Sequence, residues 1–197
     1  MSDAYIRVQS LILQDILREF KPSAKNSGLS FGPNGLSIDN VFIRAEDAGD
    51  IVSRYFGVQL TNHLQESWHL TFEISYLRPD GFVDSTYSAG SDMPRLQPGQ
   101  RKDYVEDVHL RSKDANGNSV FNDPTHHCKQ IRLDSITVWR GDRLFKQDAE
   151  VIRVGRTLFD ILGGDETFKQ FKRSGGGCAG VILFALVTGS SIGFFST

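Results

Sequence analysis

The sequence predicts a mainly β protein, an antiparallel β-sandwich of immunoglobulin-like or similar type, with an N-terminal amphipathic helix and a C-terminal apolar segment. Three observations carry this. From Gly28 onward, short apolar runs are separated by Gly, Pro, Asn and Asp, as in antiparallel β domains. The run WHLTFEISY alternates Trp68, Leu70, Phe72, Ile74 and Tyr76 with His69, Thr71, Glu73 and Ser75, which is the period of a half-buried strand. Finally, residues 175–197 contain no charged side chain.

The first segment, SDAYIRVQSLILQDILREF, places Tyr5, Val8, Ile12, Leu13, Ile16, Leu17 and Phe20 at helical spacing behind Ser2 or Asp3 as a cap. A helix packed on the core over residues 1–22 is expected, ended by Lys21-Pro22. The β domain then spans residues 28–150. FGPNGLSIDNVFI reads as a turn feeding a strand at 36–43, and YFGVQLTN sets Phe56, Val58 and Leu60 on one face. WHLTFEISY ends in LRPDGF, where Pro79 presets its own φ and Gly81 can take a positive one, so residues 82–87 return antiparallel.

DYVEDVHLRS sets Tyr104, Val108 and Leu110 on one face, ahead of a turn in DANGNS. IRLDSITVW is the next strand, and its apolar parity slips between Leu133 and Ile136, which predicts a bulge at Asp134-Ser135. A tight hairpin is expected at 140–143. Residues 151–174, with mixed strand and helix character and a basic end, read as a connector. Six to eight strands at spacings of about ten residues favour a sandwich over a helix-covered parallel sheet.

At 197 residues the chain accommodates one ordinary domain with elaborations, and 39% hydrophobic with 23% charged residues is a globular composition. With 22 basic against 24 acidic residues, a nucleic-acid partner is disfavoured, since phosphate backbones are attracted by a strong positive field. Two cysteines, Cys128 and Cys178, define neither a disulfide framework nor a zinc site. No basic region followed by an apolar run opens the chain, so no cleavable secretory signal is expected and the body is placed in the cytoplasm.

Chemistry-bearing residues are few. His126, His127 and Cys128 bring imidazole and thiol together and are weak metal candidates, because adjacent residues on an extended chain point to opposite faces. A solvated loop with a buried cysteine is the expectation there, with no metal and no cofactor. Asp103, Asp107 and His109 share a strand face, as general acid-base groups do and as any polar outer face does. Arg140-Gly141-Asp142 reads as a turn. Trp68 and Trp139 are expected to pack in the core. No catalytic residue is assigned, and a non-enzymatic protein is expected.

The apolar tail carries the functional expectation. Ala179, Val181, Ile182, Leu183, Phe184, Leu186, Val187, Ile192, Phe194 and Phe195 supply apolar surface over a stretch of 23 residues. About 20 helical residues cross about 30 Å of hydrocarbon. Lys169, Lys172 and Arg173 precede it as a cytoplasmic basic flank. Gly176 with Gly180, and Ala185 with Gly189 and Gly193, recur every fourth residue and would let two spans approach closely as a homo-oligomer.

The reading is therefore a membrane-associated binding protein, with membrane lipid and an unidentified protein as partners. Two alternatives use the same residues. In one, a soluble effector or pore-forming protein keeps the tail buried until activation. In the other, VILFALV and IGFFS form a core hairpin around TGSS in a soluble cytoplasmic ligand-binding domain.

Overall fold

A computed structural model describes residues 4–47, 52–89, 95–108, 124–140 and 146–174 of the chain. The protein is mainly β, with two four-stranded antiparallel sheets. The first is ordered β1-β2-β3-β6, from β1 (Ala4–Val8), β2 (Leu36–Asp47), β3 (Val52–Asn62) and β6 (Arg101–Asp107). The second is ordered β5-β4-β7-β8, from β4 (Trp68–Leu77), β5 (Val83–Ala89), β7 (Ile131–Arg140) and β8 (Glu150–Thr157).

One buried cluster draws Val41, Phe56 and Leu60 from the first sheet and Leu70, Phe72 and Ile136 from the second. Phe56 and Phe72 meet edge to face, with centroids 6.4 Å apart and ring planes at 84°. The strand order is not that of an immunoglobulin domain. There the second and third strands lie in different sheets, whereas here β1, β2 and β3 are consecutive neighbours in one.

The N-terminus corrects the sequence reading. Residues 4–8 form a strand, and the helix α1 covers only Leu11–Glu19. Ile6 and Val8 point to the core while Tyr5 and Arg7 face out, so period two wins, and β2 supplies the partner from Ala45 back to Val41. The helix cap is Ser10, whose Oγ accepts from the Leu13 N–H at 3.3 Å, and the caps expected from sequence, Ser2 or Asp3, lie outside the described residues. Leu13 and Leu17, four apart, bury the inner stripe of α1, while Leu11 and Ile12 stay 58% and 38% exposed.

Other elements follow the local signals more closely. Gly81 takes φ of +85° in the β4–β5 hairpin, and its N–H donates to the Arg78 carbonyl at 2.8 Å. The register of β4 against β7 and of β7 against β8 shifts near Asp134, where the parity slip predicts a bulge. The segment read as a connector differs. Its first part is β8, a full member of the second sheet, followed by α3 (Leu158–Ile161) and α4 (Gly164–Ser174). Thr157 caps α3 by accepting from the Asp160 N–H.

The chain between α1 and β2 is tied to β8 at one carboxylate. Glu150 Oε1 accepts from the Ser23 hydroxyl at 2.5 Å, the Ser23 N–H at 2.9 Å and Asn26 Nδ2 at 2.8 Å. The Ser23 hydroxyl, foremost among these donors, holds the Glu150 carboxyl below the usual glutamate range. A carboxylate depressed in the folded state stabilises above its unfolded pKa, and that contribution is lost as pH falls through the folded value. Glu150→Gln is thus expected to lower the thermal midpoint at neutral pH. The gap should close in acid, as paired melts at the two pH values would show.

Candidate functional site

A recess among the described residues follows from where β1 stops. Ser10 turns the chain into α1, so β1 flanks β2 only as far as Val41, and the next contact on that side is the isolated bridge from Phe31 to Leu36. Among the described residues, none pairs with residues 37–40 on that edge. A cleft of about 930 Å³ opens over it. Gln14, Leu17 and Arg18 of α1 form one wall, Phe31, Gly32 and Pro33 another, and Thr61, His63 and Arg101 reach it from the sheet.

The turn at 30–36 is held by backbone bonds from Leu36 N to Ser30 O at 2.8 Å and from Gly35 N to Gly32 O at 3.0 Å. Gly35 is required there, because a Cβ would lie 2.2 Å from the Ser30 carbonyl oxygen.

A bulge in β2 creates the polar floor. Ile38 pairs with Leu60 and Asn40 with Gln59, which leaves Asp39 as the extra residue. Ile38 stays in the core, while Asp39 and Asn40 both engage the outer face. Asp39 accepts from Ser37 Oγ at 2.7 Å, Thr61 Oγ1 at 2.6 Å and Arg101 Nε at 3.2 Å. Asn40 Nδ2 donates to Gln59 Oε1 at 2.9 Å, and Arg101 donates to the same oxygen. Gln59 Nε2 passes the chain to Asp103 Oδ1 at 2.7 Å, and Asp103 Oδ2 pairs with Arg7 at 3.2 Å.

These side chains come from four strands and brace one another, so their orientations are set before any ligand arrives. Two arginines balance two aspartates across the network. Ser37 and His63 approach at 3.4 Å, but the Ser37 hydroxyl donates to Asp39. That arrangement spends the proton on the carboxylate and leaves the imidazole without a carboxylate to orient it, unlike an activated nucleophile.

Arg7 also lies 4.7 Å above the Phe42 ring, and Phe42 covers Gly57. The network therefore rests on an aromatic shelf.

Asp103 joins the network with Gln59 and Arg7, while the Asp107 side chain, His109 and Leu110 lie outside the described residues. His126 is exposed and His127 buried, with ring centroids 5.6 Å apart, and Cys128 is buried. Residues 124–128 form a helix, α2, where a solvated loop was expected. Among the described residues no group of three or more His, Cys, Asp and Glu is placed to hold a metal ion. Trp68 is in the core, but Trp139 is buried outside the core cluster, stacked on His69 at 5.2 Å.

Arg140 pairs with Glu66 at 2.9 Å, and the rest of the expected 140–143 hairpin lies outside the described residues, as does the DANGNS turn. Lys169 sits on α4 and donates to Glu166 at 3.0 Å. Lys172 and Arg173 are in the last turn of the same helix. The tail residues, Gly176 through Phe195, lie outside the described residues. Among the described residues no helix is long and apolar enough to cross a membrane.

Asp39, Asn40, Gln59 and Thr61 were missed from sequence. One signal was available: Leu36 and Ile38 share parity, Val41 and Ile43 share the other, and a slip of one residue marks the bulge. No protein-family model, curated protein or solved structure matches the chain.

Proposed function

We propose that this chain is a non-enzymatic binding protein whose recognition site is the cleft over residues 37–40, and whose body is held at a membrane by residues 175–197. The two facing sheets serve as a β-sandwich scaffold in this reading. The observation that carries it is the braced polar floor, Asp39, Asn40, Thr61 and Arg101, at the base of an open recess. Charge balance disfavours a strongly ionic ligand. Planar amide, carboxylate and guanidinium groups beside the Phe31 ring suit a neutral, hydroxyl-rich one of the saccharide class, since hydroxyls donate and accept together and sugar faces pack on aromatic rings.

Titration with neutral disaccharides, followed by the amide shifts of Asn40, Gln59 and Thr61, is expected to saturate. Asp39→Ala removes three accepted bonds. It should weaken binding by about tenfold or more, the worth of one charge-assisted bond. Shifts that do not saturate, or that are indifferent to Asp39, would sink the ligand assignment.

The membrane half is supported by the charge-free tail behind Lys169, Lys172 and Arg173. Intact protein should pellet with carbonate-washed membranes, while a version ending at Ser174 stays in the supernatant. Equal partitioning of the two would remove the tether.

A further inference from the structure

One part of the cleft is main chain. In an antiparallel strand the N–H and C=O of a residue point to the same side, and successive residues alternate between the two sides. Leu36 fixes the phase at the start of β2. Its N–H donates to the Ser30 carbonyl at 2.8 Å and its C=O accepts from the Gly32 N–H at 3.0 Å, so both point away from β3. Gly35 points the other way, its C=O accepting from the His63 N–H at 2.9 Å. Asn62, opposite Leu36 in β3, agrees: its N–H and C=O bond to Gln100 and Gly99, away from β2. Ser37 therefore bonds toward its partner Thr61, and the N–H and C=O of Ile38 point to the edge that β1 has left.

Both flanks of Ile38 on that edge are described. Phe31 bridges to Leu36 on one side, and Val8 pairs with Val41 on the other. Among the described residues none pairs with Ile38 between them. Ile38 lines the cleft although its side chain belongs to the core cluster, so what it offers there is one donor and one acceptor side by side.

Building on the saccharide reading of the cleft, we infer that the Ile38 main chain binds a vicinal diol of the sugar, one hydroxyl accepting from the N–H and its neighbour donating to the C=O. A hydroxyl donates or accepts as its surroundings require, so two adjacent ones satisfy both groups together. A trans peptide unit does not, because its N–H and C=O point in opposite directions. An added strand is also disfavoured. The edge between Leu36 and Val41 is at most about 17 Å long, closed by the turn at one end and by β1 at the other. Phe31, held beside Leu36, places an aromatic ring next to the pair for a sugar face.

Hydrogen exchange of the full-length protein in mild detergent tests this contact. Without sugar, the Ile38 amide is expected to exchange about tenfold or more faster than the Ser37 amide, which is laddered to β3. Saturating methyl glucoside should slow the Ile38 amide by a similar factor. Every vicinal pair of ring hydroxyls on that sugar includes the 3-hydroxyl. Its 3-deoxy analogue should therefore bind about tenfold more weakly and leave the Ile38 amide in fast exchange.

An Ile38 amide as slow as Ser37 in the free protein would overturn the contact, since the pair would already be taken. Suppose instead that methyl glucoside saturates the shifts of Asn40, Gln59 and Thr61 but leaves Ile38 in fast exchange, or that the 3-deoxy analogue binds equally well. The saccharide reading then stands and the diol contact is overturned. Failure of methyl glucoside and of neutral disaccharides to saturate any of these shifts removes the saccharide reading, and the diol contact falls with it.

Discussion

Phe72→Ala is expected to lower the free energy of unfolding by about 3–5 kcal/mol, the range for removing a buried phenylalanine. Phe72 sits near the middle of β4, flanked in register by Ile136 of β7 and Ala89 of β5. Its ring is fully buried and meets Phe56 of the opposite sheet edge to face. Truncation therefore opens a void where the two sheets meet, and close-packed neighbours relax into such voids only in part. Urea melts of Phe72→Ala, Phe56→Ala and the double variant form a cycle. Its coupling should come to about 0.5–1.5 kcal/mol, as for other aromatic pairs in contact. Strict additivity would mean that the rings do not touch and that the sheets face each other in some other register.

The second large effect has an informative sign. Gly57→Ala would ordinarily help a strand, because glycine in a strand interior costs about 0.5–1 kcal/mol relative to alanine. Here it should destabilise by about 1–3 kcal/mol through overpacking. Gly57 pairs with Phe42 on one side and Val105 on the other, and an added Cβ would lie 2.1 Å from Phe42 Cζ and 2.4 Å from Cε2. The ring cannot lift freely, because the Arg7 guanidinium lies 4.7 Å above it and is fixed by Asp103 at 3.2 Å.

Combining Gly57→Ala with Phe42→Ala should recover much of the loss due to the clash, leaving the cost of the missing ring. Thermal and urea melts of the three variants measure this. A stabilising Gly57→Ala would show that Phe42 does not lie across the glycine. The clash also reaches the cleft. A displaced Phe42 moves Arg7 away from Asp103, and through Gln59 it loosens the brace on Asn40.

How much of this was readable in the chain differs from element to element. β4 was legible because an alternation of large apolar and polar residues over nine positions admits one period, and β7 because two shorter alternating runs flank its slip. The bulge in β7 was legible as a parity slip, and the β4–β5 turn as Pro79-Asp80-Gly81. The first strand was not, since Tyr5, Val8, Ile12 and Leu13 satisfy helical spacing as well as Ile6 and Val8 satisfy strand spacing. Only the presence of β2 alongside resolves that tie, because a lone strand cannot satisfy its own backbone donors and acceptors.

The polar network of the cleft shows the same division more sharply. Asp103 was visible as a polar residue on a strand face, with Asp107 and His109 as its expected companions. Its partners among the described residues are Gln59 and Arg7, 44 and 96 positions away in sequence. Asp39 likewise meets Thr61 and Arg101, residues of two other strands.

By itself the sequence determined the β character, the strand positions with strong alternation, the glycine-dependent turns and the uncharged tail, because each depends on sterics or hydropathy within a few residues. The tertiary structure alone decided which strands are neighbours, where β1 ends along β2, and which charges meet across the sheet. Those outcomes depend on burying residues of both sheets in one cluster, a condition that no short stretch of chain contains.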